Sequence, residues 1–203
     1  MVAVSITFAS RSDEIRTEVL RKSIHLMIGM TPLLANLNLL ATMGLLSAGI
    51  VVYSWAESLR LQGKSLGFVT SVTRLASRKR DHNKAVMGPI TLGLGALLCL
   101  MLYPEPAATV GIYALAFGDG LSSLVGKLFG RIKLPFTGGK TLEGSLTAFL
   151  AIFVAAYLAK PDVRIALTVA VCGTALEALP LEDLDNLVIP LGTALVFATL
   201  VPV

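Results

Sequence analysis

Long apolar stretches without charged residues recur along the chain and predict helices that cross a membrane. No Asp, Glu, Lys or Arg occurs from Ser23 to Ala56, a stretch longer than the about 20 residues that one crossing requires. The turn-forming Asn36-Leu37-Asn38 divides this stretch into two spans. The pattern predicts an all-α membrane helix bundle with about seven spans, at residues 23–37, 39–57, 85–104, 106–128, 144–159, 164–178 and 187–201.

The composition agrees with lipid as the main solvent of the chain. Of its 203 residues, 55% are hydrophobic and only 15% are charged, whereas a soluble domain carries about 25% charged residues. The length fits a single domain over residues 1–203. The net charge of +4 is explained by basic loops beside a membrane. It therefore gives no reason to expect nucleic acid binding.

The basic residues predict the orientation of the bundle. With a cytoplasmic N-terminus, seven spans place fifteen of the seventeen Lys and Arg residues on the inner side, and only Lys160 and Arg164 on the outer side. This bias satisfies the positive-inside rule and places the C-terminus outside. Residues 58–84 are predicted to form an amphipathic helix on the inner surface, with a solvated connector as the alternative. We expect a cytoplasmic membrane of a bacterium or an archaeon, with the active site facing the cytosol.

Asp119 is a carboxylate inside the fourth predicted span, where Gly118 and Gly120 flank it. An ionised acid inside a membrane costs at least about 2.5 kcal/mol, so such residues usually have a functional partner. The glycines allow a break in the helix and the close approach of a ligand. Asp119 is therefore a candidate metal ligand or base; the alternative is a helix that ends at Gly118.

A basic, glycine-rich loop over residues 126–143 is predicted on the cytoplasmic side. Gly138, Gly139, Lys140 and Thr141 lead directly into the fifth span, and a helix N-terminus offers free N–H groups to a phosphate. Lys127 adds a second cation. The loop is not a Walker A loop, because that motif would require glycine at the position of Leu134. The alternative function for this loop is an anchor for anionic lipid headgroups.

An acidic cluster follows the sixth predicted span and runs against the basic trend of the cytoplasmic side. It consists of Glu177, Glu182, Asp183 and Asp185, with Asn186 beside them. Hard oxygen ligands of this kind suit Mg²⁺ that is held together with phosphates. The alternative is salt bridging to the basic loops.

These three features combine into the parts that phosphoryl transfer needs, namely cations for the phosphates, a divalent metal and a carboxylate near the attacking hydroxyl. Their position at headgroup level predicts a lipid alcohol or a lipid phosphate as acceptor. The secondary candidates are Lys22, His25, Lys84 and Asp183.

Four motifs carry a resemblance to a known family. They are E-x-x-R-K-x-x-H from Glu18 to His25, GDGLSSLVGKLFGR at 118–131, GGKTLEGS at 138–145 and DNLVIP at 185–190. In this order they resemble the polyprenol kinase family, which contains dolichol kinase, phytol kinase and the CTP-dependent diacylglycerol kinase. The family lies within a wider superfamily that also holds phosphatidate cytidylyltransferases.

The resemblance implies a membrane kinase that uses CTP and Mg²⁺ to phosphorylate an isoprenoid alcohol or diacylglycerol. The alternatives are CMP transfer to a lipid phosphate and, from another class, a transporter or lipid-binding protein; the oligomeric state stays open. The implied catalytic residues are Asp119, Lys140, Glu143 and Glu177. The implied nucleotide-binding residues are Gly118, Lys127, Gly138, Gly139, Lys140, Thr141 and Asn186, and the implied metal ligands are Asp119, Glu177 and Asp185.

Overall fold

The computed structural model describes residue 15, residues 17–64, residues 67 and 73, and residues 84–202. Most of the predicted amphipathic segment 58–84 therefore lies outside the described residues. The elements, in chain order, are α1 (17–28), α2 (Thr31–Leu37), α3 (Leu39–Leu61), α4 (Gly88–Leu102), α5 (Ala107–Tyr113), a π-turn (Ala114–Asp119), α6 (Gly120–Phe129), α7 (Leu142–Ala159), α8 (Val163–Ala178), a 3₁₀ turn (Glu182–Leu184) and α9 (Asp185–Leu200).

Four helices in the described part of the chain are long and apolar enough to cross a membrane. They are Leu39–Leu61, Ala107–Phe129, Leu142–Ala159 and Glu182–Leu200. Helices α4 and α8 have 15 and 16 residues, so each is only about 22–24 Å long at 1.5 Å per residue, against a hydrocarbon core of about 30 Å. The seven spans and the orientation of the termini stay predictions.

The first predicted span, 23–37, is not one helix, because a turn at residues 29–30 separates α1 from α2. Two local causes explain the break. Pro32 stands in the first turn of α2, where proline is tolerated, whereas a continuous helix would clash at that ring. Gly29 lies against Phe117, since a Cβ atom built there would be 2.9 Å from the phenyl ring. The close packing holds the turn against the middle of the bundle.

The segment Ala107–Phe129 is the central helix, with 61% of its most apolar window buried, against 11% for α3. Helix α9 packs closely on α4 and α5 through glycines. A Cβ atom at Gly95 would meet the Asn186 carbonyl oxygen at 2.0 Å, and one at Gly111 would meet the Pro190 carbonyl oxygen at 2.5 Å. Helices α7 and α8 complete the core, which contains Val110, Ile152, Val169 and Phe197.

A hairpin-like loop, residues 130–141, joins α6 to α7 and is shorter than predicted because α6 continues to Phe129. Its two sides are tied by hydrogen bonds from Leu134 N to the Lys140 carbonyl and from Leu142 N to the Ile132 carbonyl, both 2.8 Å. Gly138 and Gly139 take φ values of +70° and +98°, which glycine adopts without steric cost. These two residues therefore make the sharp turn that the sequence suggests. We call residues 130–141 the hairpin.

Candidate active site

A cavity of about 460 Å³ opens where α1, α6, the hairpin, the start of α7, the end of α8 and the start of α9 meet. It brings together Asp119, Lys127, Gly138, Gly139, Lys140, Thr141, Glu177 and Asp185, all of them candidates from the sequence, together with the secondary candidate Lys22. The hairpin and α7 begin where the central helix ends, so the cavity lies at the ends of helices that have spanning length.

Asp119 is buried at the end of the π-turn, where it faces two basic residues of α1. Its Oδ2 atom lies 2.5 Å from Lys22 Nζ and 3.2 Å from His25 Nδ1. The side chains of Lys22 and Asp119 are only 1% and 2% exposed. A short π-helical insertion in an α-helix is frequent at functional sites, and here it ends on the residue that carries the charge. The ion pair explains how the carboxylate is accommodated among apolar helices.

Glu18 forms a second ionic contact on the other side of Lys22. One carboxylate oxygen accepts a hydrogen bond from Arg21, and the other accepts one from Lys127 Nζ at 2.6 Å. Burial alone would raise the pKa of Glu18, but the charges and hydrogen bonds of Arg21 and Lys127 outweigh it and lower the pKa from 4.5 to about 2. The carboxylate therefore stays ionised and fixes the position of both cations.

Glu177 connects the hairpin to the end of α8. Its Oε1 atom accepts a hydrogen bond from Lys140 Nζ at 2.8 Å and lies 3.0 Å from Ser122 Oγ on α6. Lys140 Nζ also donates to the Glu177 backbone carbonyl. The other oxygen, Oε2, is buried and has no hydrogen-bond partner within the described part of the chain. A buried oxygen without a partner is a costly arrangement and suits a cation ligand.

The N-terminus of α7 differs from the prediction that it offers free N–H groups. Thr141 caps the helix, and its hydroxyl accepts a hydrogen bond from Gly144 N at 3.2 Å, while Leu142 N is bonded to the Ile132 carbonyl. Both N–H groups are thus used within the protein. A phosphate in this cavity would meet the side-chain cations and the Gly138–Gly139 turn instead.

Helices α6 and α7 approach closely beside the cavity. A Cβ atom built at Gly144 would lie 2.7 Å from the Ser122 carbonyl oxygen, and one at Gly126 would lie 3.0 Å from Thr141 Oγ1. Glycine at these positions brings Lys127 and Lys140, on different sides of the contact, to the same cavity.

Six predicted residues lie outside the cavity lining, namely Gly118, Glu143, Asn186, His25, Lys84 and Asp183. Glu143 accepts a hydrogen bond from Arg131 N at 2.9 Å and contacts Ile132 N at 3.4 Å, so it holds the hairpin. Asn186 donates to Thr91 Oγ1 at 2.9 Å and therefore joins α9 to α4. Both residues therefore have structural contacts, and the predicted catalytic role of Glu143 and nucleotide-binding role of Asn186 stay predictions.

Two charged residues that α1 contributes to the cavity, Glu18 and Arg21, were not among the predicted site residues. Residues 18, 21, 22 and 25 have the i, i+3, i+4, i+7 spacing that places them on one face of a helix. In the structure, this face of α1 lines the cavity and lies against Asp119. The shared face of E-x-x-R-K-x-x-H is the signal that identifies them.

The acids around the cavity fit a divalent cation that is shared with phosphates. No group of three or more His, Cys, Asp or Glu side chains is close enough to bind a metal by itself within the described ranges. Mg²⁺, however, is usually held by one or two carboxylates plus substrate phosphates. Glu177 supplies the unpartnered oxygen, and Asp185 lines the same cavity.

The charge balance of the cavity leads to the same conclusion. The described residues that line it include four basic and five acidic side chains, a formal balance of minus one. They are Arg21, Lys22, Lys127 and Lys140 against Glu18, Asp119, Glu177, Glu182 and Asp185. A polyphosphate would enter this cavity more readily together with a cation.

Comparison with known proteins gives consistent relatives. The chain is 30% identical to phytol kinase of Synechocystis sp. over 195 residues, which cover 88% of this chain and 78% of the relative. It is 28% identical to the chloroplastic farnesol kinase of Arabidopsis thaliana and 26% identical to a probable chloroplastic phytol kinase of Triticum aestivum. The chain spans slightly less than two thirds of each of these two plant proteins, at 64% and 65%.

No family model matches the chain, and no solved structure matches it. The identity to the cyanobacterial relative nevertheless extends over most of both chains, and the four motifs follow one another in order from Glu18 to Pro190. The chain belongs to the polyprenol kinase family, together with the phytol and farnesol kinases.

Proposed function

We propose that this protein is a lipid-alcohol kinase that transfers the γ-phosphate of CTP to an isoprenoid alcohol of the phytol or farnesol type. The observation that carries the proposal is the cavity itself, in which cations and acids from five separate segments meet at the ends of apolar helices. The names of the relatives point to the alcohol acceptor. The choice of CTP follows from the family resemblance.

Lys127 and Lys140 are the proposed phosphate ligands. Both line the cavity, and their side chains are 51% and 25% exposed, so a ligand can reach them. The Gly138–Gly139 turn of the hairpin lines the cavity and would let the backbone approach the phosphates without a side chain in between. Cations in these positions would stabilise the charge that spreads over the transferred group.

Asp119 is the proposed acceptor of the proton from the attacking hydroxyl. In the reaction, the alcohol oxygen forms a bond to the γ-phosphorus, the bond between this phosphorus and the β–γ bridging oxygen breaks, and CDP leaves. Lys22 donates a hydrogen bond to one carboxylate oxygen, and His25 Nδ1 lies 3.2 Å from the same oxygen. They fix its direction relative to the cavity, which a base requires.

Glu177 and Asp185 are the residues that would hold Mg²⁺. When bound, the ion supplies neutralisation of the phosphate charge. Lys140, a proposed phosphate ligand, donates a hydrogen bond to this acid. The same pair therefore orients both a cation for the phosphates and an acid for the metal.

The acceptor is proposed to enter from the bilayer. The end of α6 and the hairpin border the cavity through Lys127 and Thr137, and close to these residues in sequence they carry two exposed aromatic side chains, Phe129 at 67% and Phe136 at 98%. Exposed Phe side chains of this kind can bury themselves at the boundary between headgroups and acyl chains. A long isoprenoid chain could stay in the lipid while its hydroxyl reaches Asp119.

The test is to incubate the full chain, purified in detergent, with Mg²⁺, γ-labelled CTP or ATP, and phytol, farnesol or diacylglycerol in separate reactions. We expect the label in an isoprenoid phosphate, with CDP as the second product. A parallel reaction with α-labelled CTP detects CMP transfer, since only that reaction moves the α-phosphate to a lipid and releases pyrophosphate. Folded protein that labels no lipid from either nucleotide would refute the proposal.

Variants test the site separately from the enzyme class. Asp119→Asn and Lys140→Ala should each lower kcat by about 10²-fold or more, the usual effect of losing a general base or a transition-state contact. Lys160→Ala is the matched control, because Lys160 is exposed at the opposite end of α7. Full turnover by Asp119→Asn would remove this residue from the proposed mechanism.

A further inference from the structure

Glu18 is a buried carboxylate on α1 that contacts two cations of the cavity, one on its own helix and one on α6. It is 3% exposed. Arg21 binds one of its oxygens from the next turn of α1, and Lys127 binds the other from α6, 109 residues further along the chain. Both cations line the cavity, and so does Glu18.

Lys127 is the most accessible of the four basic side chains. It is 51% exposed, whereas Lys140, Arg21 and Lys22 are 25%, 18% and 1% exposed. A phosphate that enters the cavity would reach Lys127 most easily. Because Glu18 already holds this ammonium group at 2.6 Å, the phosphate must share it or replace the carboxylate.

A carboxylate beside a phosphate ligand acts on binding in two opposing ways. It holds the lysine side chain in one conformation, which lowers the entropy lost on binding. It also places a negative charge close to the negatively charged ligand, which weakens binding by Coulomb repulsion. Because Glu18 is 3% exposed, water screens its charge only weakly, and the second effect dominates for a ligand that carries several negative charges.

We propose that Glu18 is a positioning residue that limits the affinity of Lys127 for phosphates, so that the nucleotide product can leave. The inference rests on the proposed function, since it requires a nucleotide in the cavity. For an enzyme in which product release contributes to kcat, excessive affinity for the diphosphate slows turnover. Glu18 keeps the Lys127 ammonium group directed at the cavity and keeps the affinity of Lys127 for the diphosphate low enough for product release.

The proposal and a purely structural role of Glu18 predict opposite changes in nucleotide affinity when Glu18 is replaced. If Glu18 only anchored α1, its loss would loosen the cavity wall and weaken nucleotide binding. If it limits affinity, the loss of its charge strengthens binding while turnover falls. The substitution Glu18→Gln separates these outcomes, because it keeps the shape of the side chain and one acceptor oxygen.

The experiment measures the equilibrium affinity of the detergent-purified full chain for CTP and for CDP, each with Mg²⁺, and then kcat and KM. For Glu18→Gln we expect Kd values for both nucleotides to fall about tenfold, with a lower KM for CTP and a lower kcat. Glu105→Gln is the matched control. Glu105 precedes the central helix at the end opposite Lys127, where it accepts a hydrogen bond from Thr109. The Kd values of Glu105→Gln for both nucleotides should therefore equal those of wild type.

A double-mutant cycle with Lys127→Ala identifies the partner through which Glu18 acts. In the Lys127→Ala background, Glu18→Gln should change the Kd for CTP by less than about threefold, because residues that act as a unit are not additive. The same tenfold gain in both backgrounds would overturn the assignment to Lys127. Unchanged or weaker binding by folded Glu18→Gln would overturn the proposal altogether.

Glu18→Asp provides a second variant if Glu18→Gln cannot be purified in folded form. The shorter side chain withdraws the carboxylate from Lys127 and should strengthen CTP binding about threefold; equal or weaker binding again contradicts the proposal. The proposed function fails in a different way. Wild-type protein that binds neither CTP nor ATP refutes the nucleotide site, whereas wild-type binding without a gain in Glu18→Gln refutes only the role of Glu18.

Discussion

Replacing Lys22 or Asp119 alone should destabilise the protein much more than replacing both together. The two side chains form an ion pair of 2.5 Å, with 1% and 2% of their surfaces exposed. They connect α1 to the π-turn of the central helix, across 97 residues of sequence. Few other contacts in the cavity are shielded from water to this degree, so the pair gives a clear test of the electrostatics.

The magnitude follows from burial. Removing one partner of a buried pair leaves an uncompensated charge and costs about 3–5 kcal/mol, whereas replacing both partners with neutral groups of similar volume is often neutral. His25 lies 3.2 Å from the Asp119 carboxylate and can partly compensate it when Lys22 is lost. We therefore expect Asp119→Asn, which leaves the ammonium group alone, to be more destabilising than Lys22→Met.

The assay is the free energy of unfolding in mixed micelles for wild type, both single variants and Lys22→Met/Asp119→Asn. The double variant should be less destabilised than either single variant, so its loss of stability should be smaller than the sum of the two single losses by at least about 3 kcal/mol. It should remain inactive as a kinase, because the proposed base is absent. A double variant whose destabilisation equals that sum would show that the two residues do not interact energetically, and the structure of the site would then be wrong.

Three further predictions concern packing, pH and metal. Gly144→Ala should destabilise the protein by about 1–3 kcal/mol in a thermal unfolding assay, because the new Cβ atom would press on the Ser122 carbonyl oxygen. Gly49→Ala is the control and should be neutral or slightly stabilising, because a Cβ atom at Gly49 meets nothing within 4 Å. The pKa of Glu18 falls from 4.5 to about 2 on folding, which contributes roughly 3 kcal/mol to the free energy of unfolding. This contribution is complete above pH 4.5 and is lost as the pH falls towards 2. Acid unfolding of Glu18→Gln should therefore show a weaker pH dependence than that of wild type. Removal of Mg²⁺ with EDTA should weaken CTP binding about tenfold or more in a binding titration; equal affinity would argue against a metal site.

The polar residues within apolar segments could be recognised from the sequence, because their cost in a membrane demands a reason. Asp119, Lys140 and Glu177 interrupt apolar helices or their ends, and the structure brings all three to one cavity. The Gly138–Gly139 turn could also be predicted, since consecutive glycines before a helix favour positive φ. Local chemistry of this kind depends on neighbouring residues, which a single sequence displays.

The partners of these residues could not be predicted in the same way. Lys22 pairs with Asp119 and Lys127 pairs with Glu18 over separations of 97 and 109 residues, and many basic residues could have served as either partner. Helix packing decides the choice, through close contacts such as that of Gly29 with Phe117. Hydropathy also cannot show that a span will break, as α1 and α2 do, because apolar residues occur on both sides of the turn.

The pairing of charges explains how one group of residues can satisfy both the membrane and the proposed chemistry. Each of Lys22, Lys127 and Lys140 contacts an acid on another segment of the chain. A paired charge is much less costly in a region of low dielectric than an isolated one, so the pairs allow the cavity to form at the ends of apolar helices. In the proposed mechanism, a nucleotide phosphate would therefore share Lys127 or Lys140 with the acid that already binds it, or would replace that acid. An acid that is replaced in this way would become available for a metal or a proton, so the proposal assigns the resting ion pairs and the catalytic groups to the same residues.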